Sequence, residues 1–309
     1  MSVTCAILRR SAAAFLVGAA VDANGADAQP PVTSSMGYTR ALVRSANEND
    51  FRTAMRAYGK VVAENFHITT VADQPIFDSV AQLEQALRRR EIEVIAGLAH
   101  EIFALPPELL EGHYFAAAHN DRPGVEYVLL TRADRPLRTV PDLARCTLAA
   151  LDNNDGALAL PWLESLCHEA GLPRPETLLR EIRLASKPSQ AVLPVFFGQV
   201  DACIVTRASF AALAELNPQI ERRLHLVAAS PRVAPFLTAL RAGLSPELRE
   251  RIITALTTAH TLPAGRQALL LFQTESVRLV DQETLSATRQ LLAAHTRLAP
   301  AASSASALP

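Results

Sequence analysis

The chain has 309 residues, of which 49% are hydrophobic and 20% charged, with 30 Lys and Arg against 31 Asp and Glu. This composition excludes a largely disordered chain, and the net charge of -1 lacks the basic excess typical of nucleic-acid binding. At about 150 residues per domain, the length predicts two lobes that each bury a core.

The first 28 residues have the pattern of a secretory signal peptide. The pair Arg9-Arg10 precedes an apolar run over residues 11–21, and the small-residue site Ala26-Asp27-Ala28 follows. This run is too short to cross a bilayer, which needs about 20 residues. A buried N-terminal helix is the alternative interpretation. We therefore predict a soluble, periplasmic mature chain that is exported by residues 1–28.

Three cysteines, Cys146, Cys167 and Cys203, remain once Cys5 is removed with the signal peptide. An odd number cannot pair completely in an oxidising compartment. Cys203 lies in an apolar run and Cys167 on a helical face, which favours buried, unpaired thiols. One disulfide with one free thiol is the alternative. Because the sequence has no C-x-x-C pair, it indicates neither a zinc ribbon nor a redox motif.

In chain order, the first predicted elements alternate between strands and helices. Residues Tyr38–Arg44 are predicted to form a strand, and Asn47–Asp50 a polar loop that caps the helix Phe51–Phe66. Strands follow at His67–Ala72 and Glu93–Leu98, with a helix between them. Two successive β-α-β units indicate parallel strands joined by right-handed crossovers.

The middle of the chain repeats this alternation, and the last third is predicted to be helical. The predicted strands of the middle part are Tyr114–Ala118, Val125–Thr131, Cys146–Leu151, Val200–Thr206 and Leu224–Ala228. Ser245 followed by Pro246 predicts the start of a helix that continues to His260. The low-complexity residues 299–309 are predicted to be a disordered tail.

Motifs of common enzymes and nucleotide-binding sites are absent from the sequence. It contains no G-x-S-x-G, Walker A, G-x-G-x-x-G or H-E-x-x-H pattern. Polar residues instead mark three junctions where strands lead into helices: Asn47–Asp50, Asp152–Gly156 and Lys187–Gln190. Parallel α/β sheets bind ligands at such junctions, because helix N-termini present unpaired N–H groups to an anion. The alternative explanation is that these residues are ordinary helix caps.

The segment Lys187–Arg207, with its Gly198-Gln-Val-Asp201-Ala202 motif, resembles the substrate-binding proteins of phosphate, phosphite and phosphonate ABC transporters. The turn Asn153–Gly156, with Pro161 shortly after it, is similar to the same family. This resemblance implies a two-lobed fold of the α/β class, the periplasmic-binding-protein type 2 fold. Each lobe would be a mostly parallel sheet flanked by helices, with the ligand cleft between the lobes.

The resemblance also implies a division of the chain and a function. Lobe I would combine residues 36–118 with 232–298, and lobe II would span 119–231. Hinge closure would capture a small oxyanion such as phosphonate, phosphite or phosphate for an ABC permease or, alternatively, for a membrane sensor kinase. We expect no enzymatic activity, cofactor, metal or nucleic-acid partner, and a monomeric mature chain.

The predicted ligand residues are polar or basic side chains at or near the starts of helices. They are Asn47, Asn49, His100, Asn153, Asn154, Lys187, Ser189, Gln190, Thr206 and Arg207. Arg207 favours a planar anion such as carboxylate, sulfonate or phosphonate. An enzyme is the competing class, because Ser189 beside Lys187 is the one pairing that suggests an activated nucleophile.

One of the junctions departs from the family pattern. Phosphonate-binding members usually open the lobe-II helix with Ser or Thr hydroxyls, whereas this chain has Asp152-Asn153-Asn154-Asp155. Two carboxylates there would repel a dianion, or would recognise an amine on a zwitterionic ligand. Asp155 as a simple helix cap is a further alternative.

Overall fold

A computed structural model describes residues 32–44, 47–270 and 274–298. The predicted signal peptide at residues 1–28 and the predicted tail at residues 299–309 lie outside the described residues. Within the described part, no helix combines the length and the apolar character that a membrane crossing requires.

The strands form two main sheets and one short pair. The strands are β1 Val32–Ser34, β2 Met36–Thr39, β3 Ile68–Thr70, β4 Ile76–Phe77, β5 Val94–Leu98, β6 Leu110–His119, β7 Arg122–Pro123, β8 Tyr127–Arg132, β9 Thr147–Leu151, β10 Glu181–Ala185, β11 Ala202–Thr206, β12 Leu224–Ala229, β13 Phe236–Arg241 and β14 Ser276–Leu279. A smaller, five-stranded sheet has the order β10-β9-β11-β8-β12. A larger, seven-stranded sheet has the order β14-β6-β13-β5-β2-β4, with β7 added to β6, and β1 pairs with β3.

The helices connect these strands and cover the sheets. They are α1 Arg40–Val43, α2 Glu48–Phe66, α3 Val80–Arg88, α4 Ala99–Phe103, α5 Ala159–Glu169, α6 Pro175–Leu178, α7 Pro188–Phe196, α8 Arg207–Leu216, α9 Gln219–Arg223, α10 Pro246–Thr258, α11 Pro263–Leu270 and α12 Gln282–Leu298. Ser245 caps α10 as predicted, because its hydroxyl accepts a hydrogen bond from the Leu248 N–H at 3.2 Å.

Both sheets are mixed rather than mostly parallel, which corrects one detail of the expectation. In the smaller sheet, β9 is parallel to β10 and β11, but β8 is antiparallel to β11 and β12. In the larger sheet, β2 is parallel to β4 and β5, whereas β6 and β13 run antiparallel to each other. The chain leaves the larger sheet through β6 and returns through the adjacent β13. Two neighbouring strands that carry the chain in opposite directions must be antiparallel.

The smaller sheet is buried on both faces. Along β9, Leu148 and Ala150 face a core that contains Trp162, whereas Ala149 and Leu151 face the core on the opposite side. Alternating positions of one strand therefore serve two cores, as expected for a sheet covered by helices on both faces. Apolar runs without polar alternation, such as this strand, are the sequence signature of that arrangement.

The C-terminal helix α12 contacts the cores of both sheets. Leu285 packs with the larger-sheet core and Leu291 with the smaller-sheet core. Between them, the Thr288 hydroxyl accepts a hydrogen bond of 2.9 Å from the N–H of Ala234, which lies on the connection from β12 to β13. The helix therefore braces a segment through which the chain passes between the sheets.

Candidate ligand-binding cleft

A cavity of about 280 Å³ lies between the two sheets and is lined by residues from both. Asp152, Asn153, Asn154 and Asp155, which follow β9, line it from the smaller sheet, together with Ser186 after β10. We call residues 152–155 the acidic turn. The cavity therefore lies at the carboxyl ends of neighbouring parallel strands, where α/β sheets bind ligands.

Backbone and side-chain hydrogen bonds hold the acidic turn in a fixed shape. The Asn153 Oδ1 accepts from the Gly156 N–H at 3.0 Å. The buried Tyr127 hydroxyl donates to the Asp155 carbonyl at 2.5 Å and accepts from the Leu158 N–H at 3.2 Å. A Cβ at Gly156 would lie 2.2 Å from the Leu151 carbonyl oxygen, so only glycine fits there.

The carboxyl group of Asp155 is partly buried at the cavity. Burial raises its pKa above the ordinary aspartate range, and the nearby His119 offsets part of this shift. Among residues 32–44, 47–270 and 274–298, the Asp155 carboxylate has no hydrogen-bond or ion-pair partner. The cavity lining therefore includes an acidic group that has no direct partner among the described residues and that only the nearby His119 compensates in part.

The larger sheet contributes an apolar, aromatic side to the cavity. We call Tyr38, Phe51, Tyr58 and Phe236 the aromatic wall. The rings of Tyr38 and Phe51 are perpendicular, at 87° and with centroids 4.8 Å apart. The Tyr38 hydroxyl donates to the Met55 sulfur. Burial raises the pKa of Tyr58 to about 12, so its phenol stays neutral.

One hydrogen bond crosses the cavity and joins its two sides. The side-chain amide of Asn154 donates to the backbone carbonyl of Leu42 at 3.0 Å. Leu42 belongs to α1, which follows β2 of the larger sheet, whereas Asn154 follows β9 of the smaller sheet. The acidic turn therefore faces the aromatic wall directly.

The predicted ligand residues fall into groups. Asn153 and Asn154 line the cavity. Lys187, Ser189 and Gln190 lie at the start of α7, immediately after the cavity-lining Ser186, but do not line the cavity themselves. Lys187 is exposed and has no ion-pair partner within the described ranges. The Gln190 Oε1 accepts a hydrogen bond of 3.2 Å from the Ser186 hydroxyl.

Asn47, Asn49 and His100 do not line the cavity in this structure. Asn47 caps α2, because its Oδ1 accepts from the backbone N–H groups of Asn49 at 2.9 Å and Asp50 at 3.3 Å. Both asparagines are exposed. His100 lines a separate groove that also includes Arg289 of α12.

Thr206 and Arg207 also lie outside the cavity lining. The Thr206 hydroxyl caps α8 by accepting from the Ser209 N–H at 3.1 Å, and it donates to the Ser209 hydroxyl at 2.8 Å. The Arg207 Nε donates to the Glu126 carboxylate at 2.8 Å. Both side chains therefore have local partners that stabilise the start of α8.

Sequence reasoning missed the aromatic wall. Met55 and Tyr58 lie three residues apart on one face of α2, and nothing in that spacing separates a core face from a cavity wall. Position gave no signal either, because Tyr38 opens the predicted strand Tyr38–Arg44, whereas in the structure it lies near the end of β2, which leads into α1.

Asp201 of the Gly-x-Val-Asp-Ala motif has a structural role. Its carboxylate accepts from the Thr147 N–H at 2.9 Å and from an Arg135 guanidinium N–H at 2.7 Å. These contacts join the start of β9 to the start of β11 and to the segment after β8. Asp201 is not part of the cavity lining.

Solved structures of low sequence identity share this fold. A Xanthomonas citri protein, XAC2383, bound to chloride has a TM-score of 0.57 and 16% identity, over 86% of this chain and 98% of its own. A binding-protein component of an ABC phosphonate transporter from Pseudomonas aeruginosa, PA3383, has a TM-score of 0.53 and 16% identity, over 87% of both chains. PhnD1 from Prochlorococcus marinus with methylphosphonate has a TM-score of 0.52 and 11% identity, over 84% and 97%. These likenesses confirm the α/β, two-lobed binding-protein fold. No curated protein matches the sequence.

The family comparison covers more than half of the chain. The sequence model described as "ABC transporter, phosphonate, periplasmic substrate-binding protein" matches residues 69–285. Members of such a family bind a small solute in the periplasm for a transporter and are not enzymes, which confirms the predicted class of function. The chain belongs to the periplasmic substrate-binding proteins of phosphonate ABC transporters.

Proposed function

We propose that this protein captures a solute that carries a small oxyanion in the cavity between the sheets and presents it to an ABC permease. The observation that carries the proposal is the cavity lined by both sheets and crossed by the hydrogen bond from Asn154 to Leu42. A ligand held between two bodies can stabilise their closed arrangement, and a transporter can recognise that arrangement. A membrane sensor kinase that recognises the same closed form is the alternative partner.

The moving bodies in this proposal are the two lobes. Lobe I combines residues 36–118 with 232–298, and lobe II spans 119–231. The chain crosses between them after β6 and after β12. Two short connections of this kind permit a hinge motion in which each sheet moves as a unit.

The start of α7 is the proposed subsite for the oxyanion. Pro188 at its first position has no N–H, and the Gln190 N–H donates to the Lys187 carbonyl at 3.0 Å, so Ser189 supplies the first-turn N–H without an intrahelical acceptor. The partial positive charge of the helix N-terminus also attracts anions. Ser189 and Gln190 lie in this first turn, and Lys187 adds a full positive charge just before it. Together with Asn153 and Asn154, these residues are the predicted ligand residues that we retain.

Location is the second part of the proposal. Residues 1–28 act as the signal peptide, and the mature chain begins at Gln29 and is monomeric. Mass spectrometry of the protein recovered from the periplasm should give the mass of the chain from Gln29. Light scattering should give one chain per particle. A retained N-terminus would contradict the signal peptide.

The test of ligand binding is a thermal-shift screen with phosphate, phosphite, methylphosphonate, 2-aminoethylphosphonate and ethanesulfonate. A ligand at about 100 times its Kd should stabilise the fold by about 2.7 kcal/mol. Lys187→Ala should abolish the shift. Lys60→Ala is the matched control, because Lys60 is the only other lysine and is exposed on α2. No shift with any probe, or an equal loss in both variants, would contradict the oxyanion subsite.

The partner is tested by deletion of the gene in its host. Loss of uptake of the bound solute would support delivery to a permease. Unchanged uptake with a lost transcriptional response to the solute would instead support the sensor kinase.

A further inference from the structure

The charged side chains that line the described part of the cavity are acidic. Asp152 and Asp155 belong to this lining, and the described lining contains no Lys, Arg or His. Neither carboxylate has an ion-pair partner in the ranges that the structure describes. His119 acts electrostatically on Asp155, and Lys187 lies one residue beyond the lining. The cavity interior therefore favours positive charge, whereas the nearest lysine lies at its edge.

The opposite side of the cavity favours an apolar surface with aromatic faces. Tyr38 and Phe51 form a right-angled corner, and Phe236 adds a further ring. The Tyr38 hydroxyl is engaged by Met55, so this side chain contributes its ring rather than a free donor. Aromatic rings attract cations through their negative faces, and cages of such rings recognise quaternary ammonium groups.

The acidic turn and the aromatic wall lie on opposite sides of one cavity. Asn154, in the middle of the acidic turn, donates to the carbonyl of Leu42, which lies in sequence between Tyr38 and Phe51 of the wall. A group held in this cavity contacts carboxylates on one side and rings on the other.

The carboxylate of Asp155 is partly buried and has no ion-pair partner among the described residues, which adds to this argument. An ionised group in such a position is destabilised, and an incoming charge of opposite sign offsets that cost. Burial also raises the pKa of Asp155, which agrees with a position shielded from water. A cationic group on the ligand would therefore stabilise the ionised form of this carboxyl group.

We propose that the cleft selects a solute with an alkylated ammonium group, which lies between the acidic turn and the aromatic wall. A primary ammonium needs three hydrogen-bond acceptors, whereas a trimethylated one needs only charge and apolar contact. On the wall side, rings and apolar side chains outnumber the hydroxyl-bearing side chains such as Tyr58 and Thr238, so the acceptors of the described lining lie mostly on the acidic turn. This inference deepens the proposed function and rests on it, with the oxyanion of the same solute at the start of α7.

The test compares four probes by isothermal titration of the exported chain: methylphosphonate, 2-aminoethylphosphonate, its N,N,N-trimethyl derivative, and choline. We expect the trimethylated phosphonate to bind about tenfold tighter than the primary amine, which corresponds to about 1.4 kcal/mol. Equal or tighter binding of the primary amine or of methylphosphonate would overturn the inference and leave the oxyanion function standing. Binding of choline without binding of any phosphonate would overturn the oxyanion subsite and, because the inference rests on that subsite, the inference as well. If no probe binds, both fail.

Two substitutions locate the site within the cavity. Asp155→Asn should weaken the trimethylated probe about tenfold and change methylphosphonate binding about twofold at most. Phe236→Leu keeps an apolar side chain but removes the ring, and should weaken the trimethylated probe more than the primary amine. Glu215→Gln is the control, because it removes the same charge from an exposed position on α8. Unchanged affinity for the trimethylated probe in both cavity variants would overturn the placement.

Discussion

The side chain of Asn154 and the backbone carbonyl of Leu42 are 112 residues apart in sequence but are joined by a hydrogen bond of 3.0 Å across the cavity. This bond joins the acidic turn after β9 of the smaller sheet to α1, which follows β2 of the larger sheet. It therefore favours the arrangement in which the two sides of the cleft lie close together.

Asn154→Ala should shift the ligand-free protein towards an open form. Loss of one hydrogen bond removes about 1 kcal/mol from the closed state. Small-angle X-ray scattering should show a larger radius of gyration, and ligand affinity should fall about fivefold. Asn65→Ala is the matched control, because its amide donates to the Val61 carbonyl within α2. An unchanged radius of gyration for Asn154→Ala would contradict this role.

Asp155→Asn should stabilise the ligand-free protein at neutral pH. The folded-state pKa of Asp155 is raised by burial. Its contribution to stability is therefore complete below the ordinary aspartate pKa of about 3.9 and is lost as the pH rises through the raised value. Asparagine carries no charge, so the variant should gain stability over the parent at pH 7 and lose this advantage near pH 4. Urea unfolding at both pH values measures the difference, and a variant less stable at pH 7 would contradict it.

Asp201→Asn should lower the free energy of unfolding by about 1–3 kcal/mol while ligand affinity stays the same. The substitution weakens the bonds to the Thr147 N–H and to Arg135. Asp134→Asn is the control, since Asp134 pairs with Arg132 on the surface and should have a smaller effect. Urea unfolding with a parallel titration of methylphosphonate separates the two properties. A loss of affinity with intact stability would place Asp201 in the binding site instead.

The three cysteines outside the predicted signal peptide are free thiols, as favoured from the sequence. Cys167 and Cys203 are buried, whereas Cys146 is partly exposed. A disulfide-exchange reagent should therefore label Cys146 first in the native protein and reach Cys203 only after unfolding in urea. Rapid labelling of Cys203 in the native protein would contradict its burial.

Burial of the Cys203 thiol also predicts that the folded protein loses stability at alkaline pH. Burial raises the pKa of Cys203 to about 12, whereas an unfolded thiol ionises near 8.5. The unfolded state therefore loses its proton first, and stability falls by about 1.4 kcal/mol per pH unit between these values. Comparison of urea unfolding at pH 7 and pH 10 should show a smaller decrease in Cys203→Ala than in the parent. Equal decreases would argue against this cause.

The long, strongly patterned elements were predictable from sequence. The helix predicted at Phe51–Phe66 is α2, and the start of α10 at Pro246 follows its cap. Short elements were not predictable in the same way. Residues 40–43 form a helical turn inside the predicted strand Tyr38–Arg44, because four residues are too few to establish a period. Strand β10 was missed, since as a sheet edge it exposes Glu181 and Arg183 rather than alternating apolar residues.

The candidate site was only partly predictable, for a different reason. The acidic turn was found because strand ends that lead into helices bind ligands in this class of sheet. Asn47 and Thr206 lie at comparable positions, yet their side chains cap helices instead. The position of a residue in the sequence shows at which edge of a sheet its side chain lies. Whether that side chain then bonds to its own helix or faces the cavity depends on its rotamer.

The contacts of Asp201 have a consequence for protein engineering. The motif residue that connects this chain to its family joins strand ends of the scaffold, whereas the acidic turn and the aromatic wall lie elsewhere. The residues that line the cavity and the residues that join these strand ends are therefore separate sets of positions. A library randomised at positions 152, 154 and 155 keeps the bond from the Gly156 N–H to Asn153 and can be screened for new ligands while the contacts of Asp201 stay in place.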